Sequence, residues 1–246
     1  VRPFPPGKMM SSKTRWEIPK SPIQKHYEKG FLLVVEKPPG IPSHATFDPN
    51  RPNLEDLLRK QEKNPSLRLV HRLDLDTSGL LLACIDPTQN KEADKILSES
   101  EKTYICITRG VPSQKEFRVE CFLKDGKGRV SSVRSGGKKA ITDFKILSSN
   151  PEKGISILAA KLLTGRRHQI RFHLSMVGTP ILGDETYGES FREKKKHLVP
   201  EPNRFLLHSY LLQFKNEFQE EIRIVSKLPS DFESYLHFFS GLRFPE

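Results

Sequence analysis

The chain has 246 residues, and 41 Lys+Arg against 30 Asp+Glu leave a formal charge of +11. That length allows one large domain or two small ones and is enough to bury a core without disulfide staples. No run of about 18 apolar residues occurs, and the opening Val1-Arg2-Pro3-Phe4-Pro5-Pro6 has no apolar core, so neither a membrane span nor a secretory leader is expected. The three cysteines, Cys84, Cys106 and Cys121, form no C-x-x-C pair, which argues against a disulfide framework or a structural zinc site. Cys84 and Cys106 sit in apolar runs as small buried thiols, and a reducing, cytoplasmic setting is expected. The basic excess points to a polyanion as partner, because Lys and Arg gain affinity by displacing counterions from phosphates. It does not separate RNA, DNA and an anionic membrane, although basic residues spread along the chain suit a membrane surface least.

Residues 1–25, rich in Pro, Lys and Ser, are expected to form an extended basic arm, with a single domain over 26–246. Phe31-Leu32-Leu33-Val34-Val35 is a buried strand stopped by Pro38-Pro39-Gly40. Asn53 is placed to cap a helix carrying Leu54, Leu57 and Leu58. Leu80-Leu81-Leu82-Ala83-Cys84-Ile85 is a second buried strand, and Asp86-Pro87 opens a helix with Ala93, Ile96 and Leu97 on one side. Tyr104-Ile105-Cys106-Ile107 is another strand, ending near Gly110. Ala140–Leu147 and Ile155–Leu163 flank a turn-rich loop at 148–154 and make a hairpin. Thr164 is placed to cap a helix with Ile170, Leu174 and Val177 on one side, closed by Gly178. A charge run at 192–196 is assigned to a loop. Phe205–Phe214 and Ile222–Val225 are late strands, and Ser230 or Asp231 caps a last helix carrying Phe232, Tyr235, Leu236 and Phe239. Strands and helices without strict alternation predict an α+β fold with a largely antiparallel sheet.

Three segments carry chemistry. In Leu69-Val70-His71-Arg72-Leu73-Asp74-Leu75-Asp76-Thr77-Ser78-Gly79, an extended backbone would put Arg72, Asp74 and Asp76 on one side. An Asp-rich turn with a surface Arg explains the same residues without function. In Lys102-Thr103-Tyr104, the tyrosine is either a core aromatic with its hydroxyl at the sheet edge or a ring that stacks on a nucleobase. In Thr164-Gly165-Arg166-Arg167-His168-Gln169-Ile170-Arg171-Phe172-His173-Leu174, Arg166 and Arg167 sit where cations oppose the helix dipole, so either function or a buried acidic partner is expected there. His168 and His173 are spaced by five, not the i, i+4 of a helical zinc pair. No Walker or dinucleotide loop and no G-x-S-x-G is present.

Taken in order, these motifs resemble the RluA family of RNA pseudouridine synthases. The resemblance runs from about Phe31 onward and rests on Glu36-Lys37-Pro38-Pro39-Gly40, His71-Arg72-Leu73-Asp74 with Thr77-Ser78-Gly79-Leu80-Leu81-Leu82, and Lys102-Thr103-Tyr104. It continues through Thr164-Gly165-Arg166-Arg167-His168-Gln169-Ile170-Arg171 with His173-Leu174, and Gly183-Asp184 with Tyr187-Gly188. It implies an α+β catalytic domain with a bent, mainly antiparallel mixed sheet, acting on rRNA or tRNA as a monomer, without cofactor or metal. By motif, Asp74 is the catalytic carboxylate, Tyr104 the active-site tyrosine and Arg166 the carboxylate's cationic partner. Arg72 would fill the gap left by a flipped nucleotide, and Leu207 would line the uracil pocket. His71, Thr77, Arg167, His168 and Arg171, from the same motifs, are assigned to substrate binding. Two departures stand out: Leu75 follows Asp74 where many relatives have Arg, and the segment before Phe31 is too short for the S4-type domain that several carry. A non-catalytic RNA-binding protein is the second class. A metal-dependent nuclease using Asp74, Asp76 and His71 is the third.

Overall fold

The computed structural model describes Pro19, residues 21–192 and residues 198–245; most of the 1–25 arm, and residues 193–196 of the charge run, lie outside these. The chain folds around one mixed sheet of eleven strands with helices packed on it, an α+β architecture. The first strands are β1 (Lys25–Lys29), β2 (Leu32–Lys37), β3 (Arg68–Leu69) and β4 (Ser78–Cys84), with helix α1 (Leu54–Gln61) between β2 and β3. Helix α2 (Asn90–Glu99) follows, then β5 (Glu101–Arg109), β6 (Glu116–Asp125), β7 (Val130–Ser132), β8 (Lys138–Asn150) and β9 (Ile155–Leu162). Helices α3 (Gln169–Met176) and α4 (Glu185–Arg192) precede β10 (Leu207–Lys215), β11 (Glu221–Val225) and α5 (Ser230–Leu236).

The main strand path is β1-β2-β4-β10-β5-β9-β8-β6-β7, with β3 on β4 and β11 on β10. The β4–β10 contact is parallel and every other pairing is antiparallel. Both faces of the sheet centre are covered, so its strands read as continuous apolar runs: all seven residues of β4 are buried. Alternate residues feed opposite cores. Leu33 and Val35 join Leu81, Ala83, Tyr104 and Cys106 on one face. Leu32 and Val34 join Leu80, Leu82 and Cys84 under α2 on the other. Farther along that sheet, Ile105, Ile107, Ile155 and Ile157 pack with Phe232 and Tyr235 of α5.

The caps explain where the sequence sets the helix ends. Asn53 Oδ1 accepts from the Asp56 N–H at 3.0 Å, and Asp86 Oδ1 accepts from the Thr88 N–H at 2.9 Å to open the 3-10 turn before α2. Three expectations need correction. The α3 helix begins at Gln169 and not beside Thr164, because His168 stands in the left-handed region at φ 52° and breaks the helical run. Val177 is consequently an exposed end residue and not part of the buried face. Neither Ser230 nor Asp231 caps α5, since Asp231 is taken by Arg204. Cys84 and Cys106 are buried free thiols, as expected. Among the described residues no helix is long and apolar enough to cross a membrane.

Two features of the interior set the tolerance of the fold. Gly79 sits at φ +110° where β4 meets β10, and a Cβ there would come 2.2 Å from the Ser209 carbonyl oxygen. Backbone cannot yield as a flexible side chain can, so Gly79→Ala should cost about 3 kcal/mol and lower the thermal unfolding midpoint by roughly 10 °C. His173 and His208 are both wholly buried. Burial pushes His173 down to about 4, and burial, aided by Arg204, pushes His208 down to about 3. Both are neutral in the native state, while the unfolded chain binds their protons near pH 6.5. Their contribution is therefore complete above pH 6.5 and drains away as pH falls toward the native values. Urea unfolding should show the folded state weaker at pH 5 than at pH 7, with these two histidines supplying about 4 kcal/mol of the difference.

Candidate active site

The ten residues singled out from the sequence all line one cleft of 850 Å³. The segment after β3 delivers Asp74, β5 delivers Tyr104, the start of β10 delivers Leu207, and the stretch from Thr164 into α3 supplies the basic wall. Residues 74–77 form a tight turn closed by the Thr77 N–H on the Asp74 carbonyl at 3.2 Å. The alternation expected of an extended segment is therefore lost: Asp74 and Thr77 line the cleft, whereas Asp76 lines a second cavity of 570 Å³.

Asp74 is paired, but not with Arg166. Its Oδ2 accepts from Arg171 Nη1 at 3.1 Å. Arg166 is exposed and donates through Nε to the Lys139 carbonyl at 3.0 Å. The physical reason is the late start of α3: Arg166 lies in a loop, and Arg171 occupies the first helical turn, facing inward. Arg171 is buried, and its Nε and Nη2 clasp Asp184 at 2.7 and 2.9 Å, leaving Nη1 for Asp74. Its guanidinium carbon lies 4.1 Å from the Phe205 ring centroid and 5.3 Å from that of Tyr187. Burial works against this charge, but Asp184 and Asp74 more than offset it and hold the guanidinium above its ordinary pKa. Asp184 is oriented in turn, since its Oδ1 accepts from the N–H groups of Thr186 and Tyr187 at the head of α4.

His168 Nε2 lies 3.8 Å from Asp74 Oδ1. The Tyr187 hydroxyl accepts from the Val130 N–H at 2.8 Å, which frees its proton for His168 Nδ1 at 2.9 Å. Nε2 then carries the ring proton toward the carboxylate. Burial holds the imidazole below its usual pKa, Asp74 pulling the other way. Tyr104 is buried, and burial pushes its phenol up to about 12, the Ser209 hydroxyl opposing. It therefore presents a neutral ring and an O–H to the cleft.

Other matched residues hold the scaffold. His71 Nε2 accepts from the Leu82 N–H at 3.0 Å, an unprotonated role that burial reinforces by lowering its pKa to about 3. Thr77 is buried, with its carbonyl bound by Lys37. Arg72 and Arg167 are exposed, Arg167 reaching the Gly126 carbonyl at 3.2 Å. The nuclease arrangement of Asp74, Asp76 and His71 is not assembled: Asp76 lines the other cavity, and His71 Nε2 is spent on the backbone.

Three residues escaped sequence reasoning. Lys37, wholly buried at the end of β2, donates from Nζ to the carbonyls of Pro38, Leu75 and Thr77 at 2.8–2.9 Å. Burial pushes it down to about 7, yet three acceptors suit only the ammonium, since a neutral amine has two N–H bonds. Gln169 makes four bonds: Oε1 accepts from Thr164 Oγ1 and the Arg166 N–H, and Nε2 donates to the Ile141 carbonyl and Thr142 Oγ1. The third, Asp184, was visible only as half of Gly183-Asp184. Lys37 was visible only within Glu36-Lys37-Pro38-Pro39-Gly40, as a lysine closing an apolar strand.

A carboxylate–arginine–carboxylate chain thus lies beside a neutral tyrosine in a cleft with a basic wall. Residues 31–176 match the family model described as RNA pseudouridylate synthase. Ribosomal large subunit pseudouridine synthase C of Rickettsia bellii is 30% identical over 213 residues, covering 84% of this chain and 68% of that protein. Ribosomal large subunit pseudouridine synthase D of Borreliella burgdorferi is 31% identical over 239 residues, covering 89% and 69%. Among solved structures, human RNA pseudouridylate synthase domain containing 1 superposes with a TM-score of 0.68 at 26% identity, covering 91% of each chain. The chain belongs to the RluA family of RNA pseudouridine synthases, which are isomerases.

The geometry separates the two arginines experimentally. Lysine cannot bridge Asp184 and Asp74 together, so Arg171→Lys should lower turnover by about 10²-fold or more. Arg166→Lys should leave turnover within about 2-fold, while Arg166→Gln should flatten the salt dependence of RNA binding by roughly one unit of slope. Single-turnover assays and binding across a salt series measure both.

Proposed function

We propose that this chain converts uridine to pseudouridine in ribosomal RNA, with Asp74 as the catalytic carboxylate acting on a nucleotide flipped out of its stack. The observation that carries the reading is the Asp74–Arg171 contact at 3.1 Å, in the cleft that also presents Tyr104 and Leu207. The reaction breaks the C1′–N1 bond, turns the base, and joins C5 to C1′; the C5 proton leaves and N1 gains one. Substrate and product share the same atoms, so no co-reactant is consumed. Asp74 acts either by attacking C1′ or by removing a sugar proton, and both roles need the ionised carboxylate. Arg171 holds Oδ2 and so points the group, leaving Oδ1, which faces His168 Nε2 at 3.8 Å, for chemistry.

Tyr104 serves as the stacking surface for the uracil ring, and Leu207 as an apolar wall of its pocket. C1′ cannot be reached inside a helix, so the target must leave its stack, and the exposed Arg72 at the cleft is the residue to take its place. Arg166 and Arg167, both exposed, are suited to phosphates along the strand. Ribosomal RNA as substrate is supported by two relatives named for the large ribosomal subunit.

The test is release of tritium to water from RNA labelled at uracil C5, without added metal or cofactor. Wild type should release tritium from ribosomal RNA, and Asp74→Asn should bind RNA normally but release none above background. Turnover confined to transfer RNA would replace the substrate half of the proposal; an active Asp74→Asn would remove the catalytic half.

A further inference from the structure

Arg204 is assigned to no motif in the chain, yet it reaches the catalytic turn. It precedes β10, is buried, and donates from Nη1 to the Asp76 carbonyl at 2.6 Å. Its Nε and Nη2 clasp Asp231 of α5 at 2.5 and 3.0 Å, and Nη2 also donates to Ser78 Oγ at 3.1 Å. The turn is held at every carbonyl from Leu73 to Thr77. The Leu73 oxygen accepts from Ser43 Oγ, and the Asp74 oxygen from the Thr77 N–H. The Leu75 oxygen accepts from Gly40 N–H and Lys37, and the Thr77 oxygen from Lys37. For the Asp76 oxygen, Arg204 is the partner.

That position has a particular leverage. The Asp76 carbonyl and the Thr77 N–H belong to one peptide plane, which is rigid. Arg204 grips its oxygen, and its N–H closes the turn on the Asp74 carbonyl. If the plane rotates, both bonds break together, and the backbone that carries the Asp74 side chain loses its reference. Lys37 cannot substitute, because its three N–H bonds already go to three other carbonyls. We infer that Arg204 is a positioning residue for the reaction: anchored by Asp231, it fixes the 76–77 peptide plane from behind and so sets the direction of Asp74. This rests on Asp74 being the catalytic carboxylate proposed above.

The inference makes α5, remote in sequence from every motif, part of the catalytic apparatus. It also suggests its own assay. Arg204 and Asp231 line the second cavity, which lies on the Asp76 side of the turn. A small cation therefore has a route to the place the guanidinium would vacate in Arg204→Ala.

Three measurements on the full chain test this. In Arg204→Ala, turnover should fall by about 10²-fold with the Kd for RNA little changed. The Thr77 amide should lose its protection against hydrogen exchange while amides in the centre of β4 keep theirs. Methylguanidinium, but not sodium chloride at equal ionic strength, should restore part of the turnover in a saturable way. Full turnover in Arg204→Ala, or lost turnover with Thr77 still protected, would overturn the inference. Should that variant fail to fold, Asp231→Asn keeps the guanidinium and releases its anchor, and the turnover, affinity and exchange criteria apply to it unchanged. If wild type turned over no RNA at all, the proposed function would fall, yet Thr77 exchange in the variants would still decide whether Arg204 holds the turn.

Discussion

The geometry of the cleft hangs on one guanidinium with two carboxylates to serve. Arg171 is buried and would be costly there alone, but Asp184 takes two of its nitrogens and Asp74 a third. The division is unequal, and the inequality matters. Asp184, with no exposed side-chain surface, is the structural partner: it fixes the plane of the guanidinium and is itself fixed by the head of α4. Asp74 keeps a fifth of its side chain exposed, with one oxygen on Arg171 and the other facing His168 at 3.8 Å. A symmetric pair would have satisfied both acids and left neither for a substrate.

Behind the turn the same logic is repeated with different cations. Lys37 is a buried ammonium whose partners are all backbone oxygens, and Arg204 a buried guanidinium that joins the Asp231 carboxylate to backbone oxygens. A buried charge facing carbonyl dipoles needs more of them than a charge facing a carboxylate, so each cation gathers several. The result is a stretch of chain from Leu73 to Thr77 with almost no freedom, although none of it lies in a helix or strand. Inside, each of these three cations has been matched.

Much of this was legible in the sequence, and the failures share a cause. Continuous apolar runs gave β2, β4 and β5, because strands buried on both faces cannot alternate. Asn53 and Asp86 announced their helices through side-chain caps. The outer strands β1, β6 and β7 were missed, since more than half of their residues are exposed and their apolar signal is weak. The start of α3 was misplaced because Thr164 looks like a cap; its hydroxyl instead serves the Ile141 N–H and Gln169. Arg166 was expected as the cationic partner by motif, and the structure gives that place to Arg171, in the first turn of the helix. The argument that a cation at this helix end must have a buried acid to answer was right in kind, and one turn out in place. The roles of Lys37 and Arg204 at the turn could not be read, because what they hold there is main-chain oxygen, which has no identity in a sequence.

The parallel contact of β4 with β10 brings together His208 and Ser78, 130 positions apart, and β10 lies between β4 and β5, which are near neighbours in the chain. During synthesis β4 and β5 emerge first, with a gap between them that only a much later segment can fill. Asp74 is therefore made long before Arg171, Asp184 and Arg204 exist to hold it. Until β10 slides into place, neither the cleft-lining Leu207 nor the clamp behind the turn is present. A partly made chain has Asp74 but not the side chains that hold it.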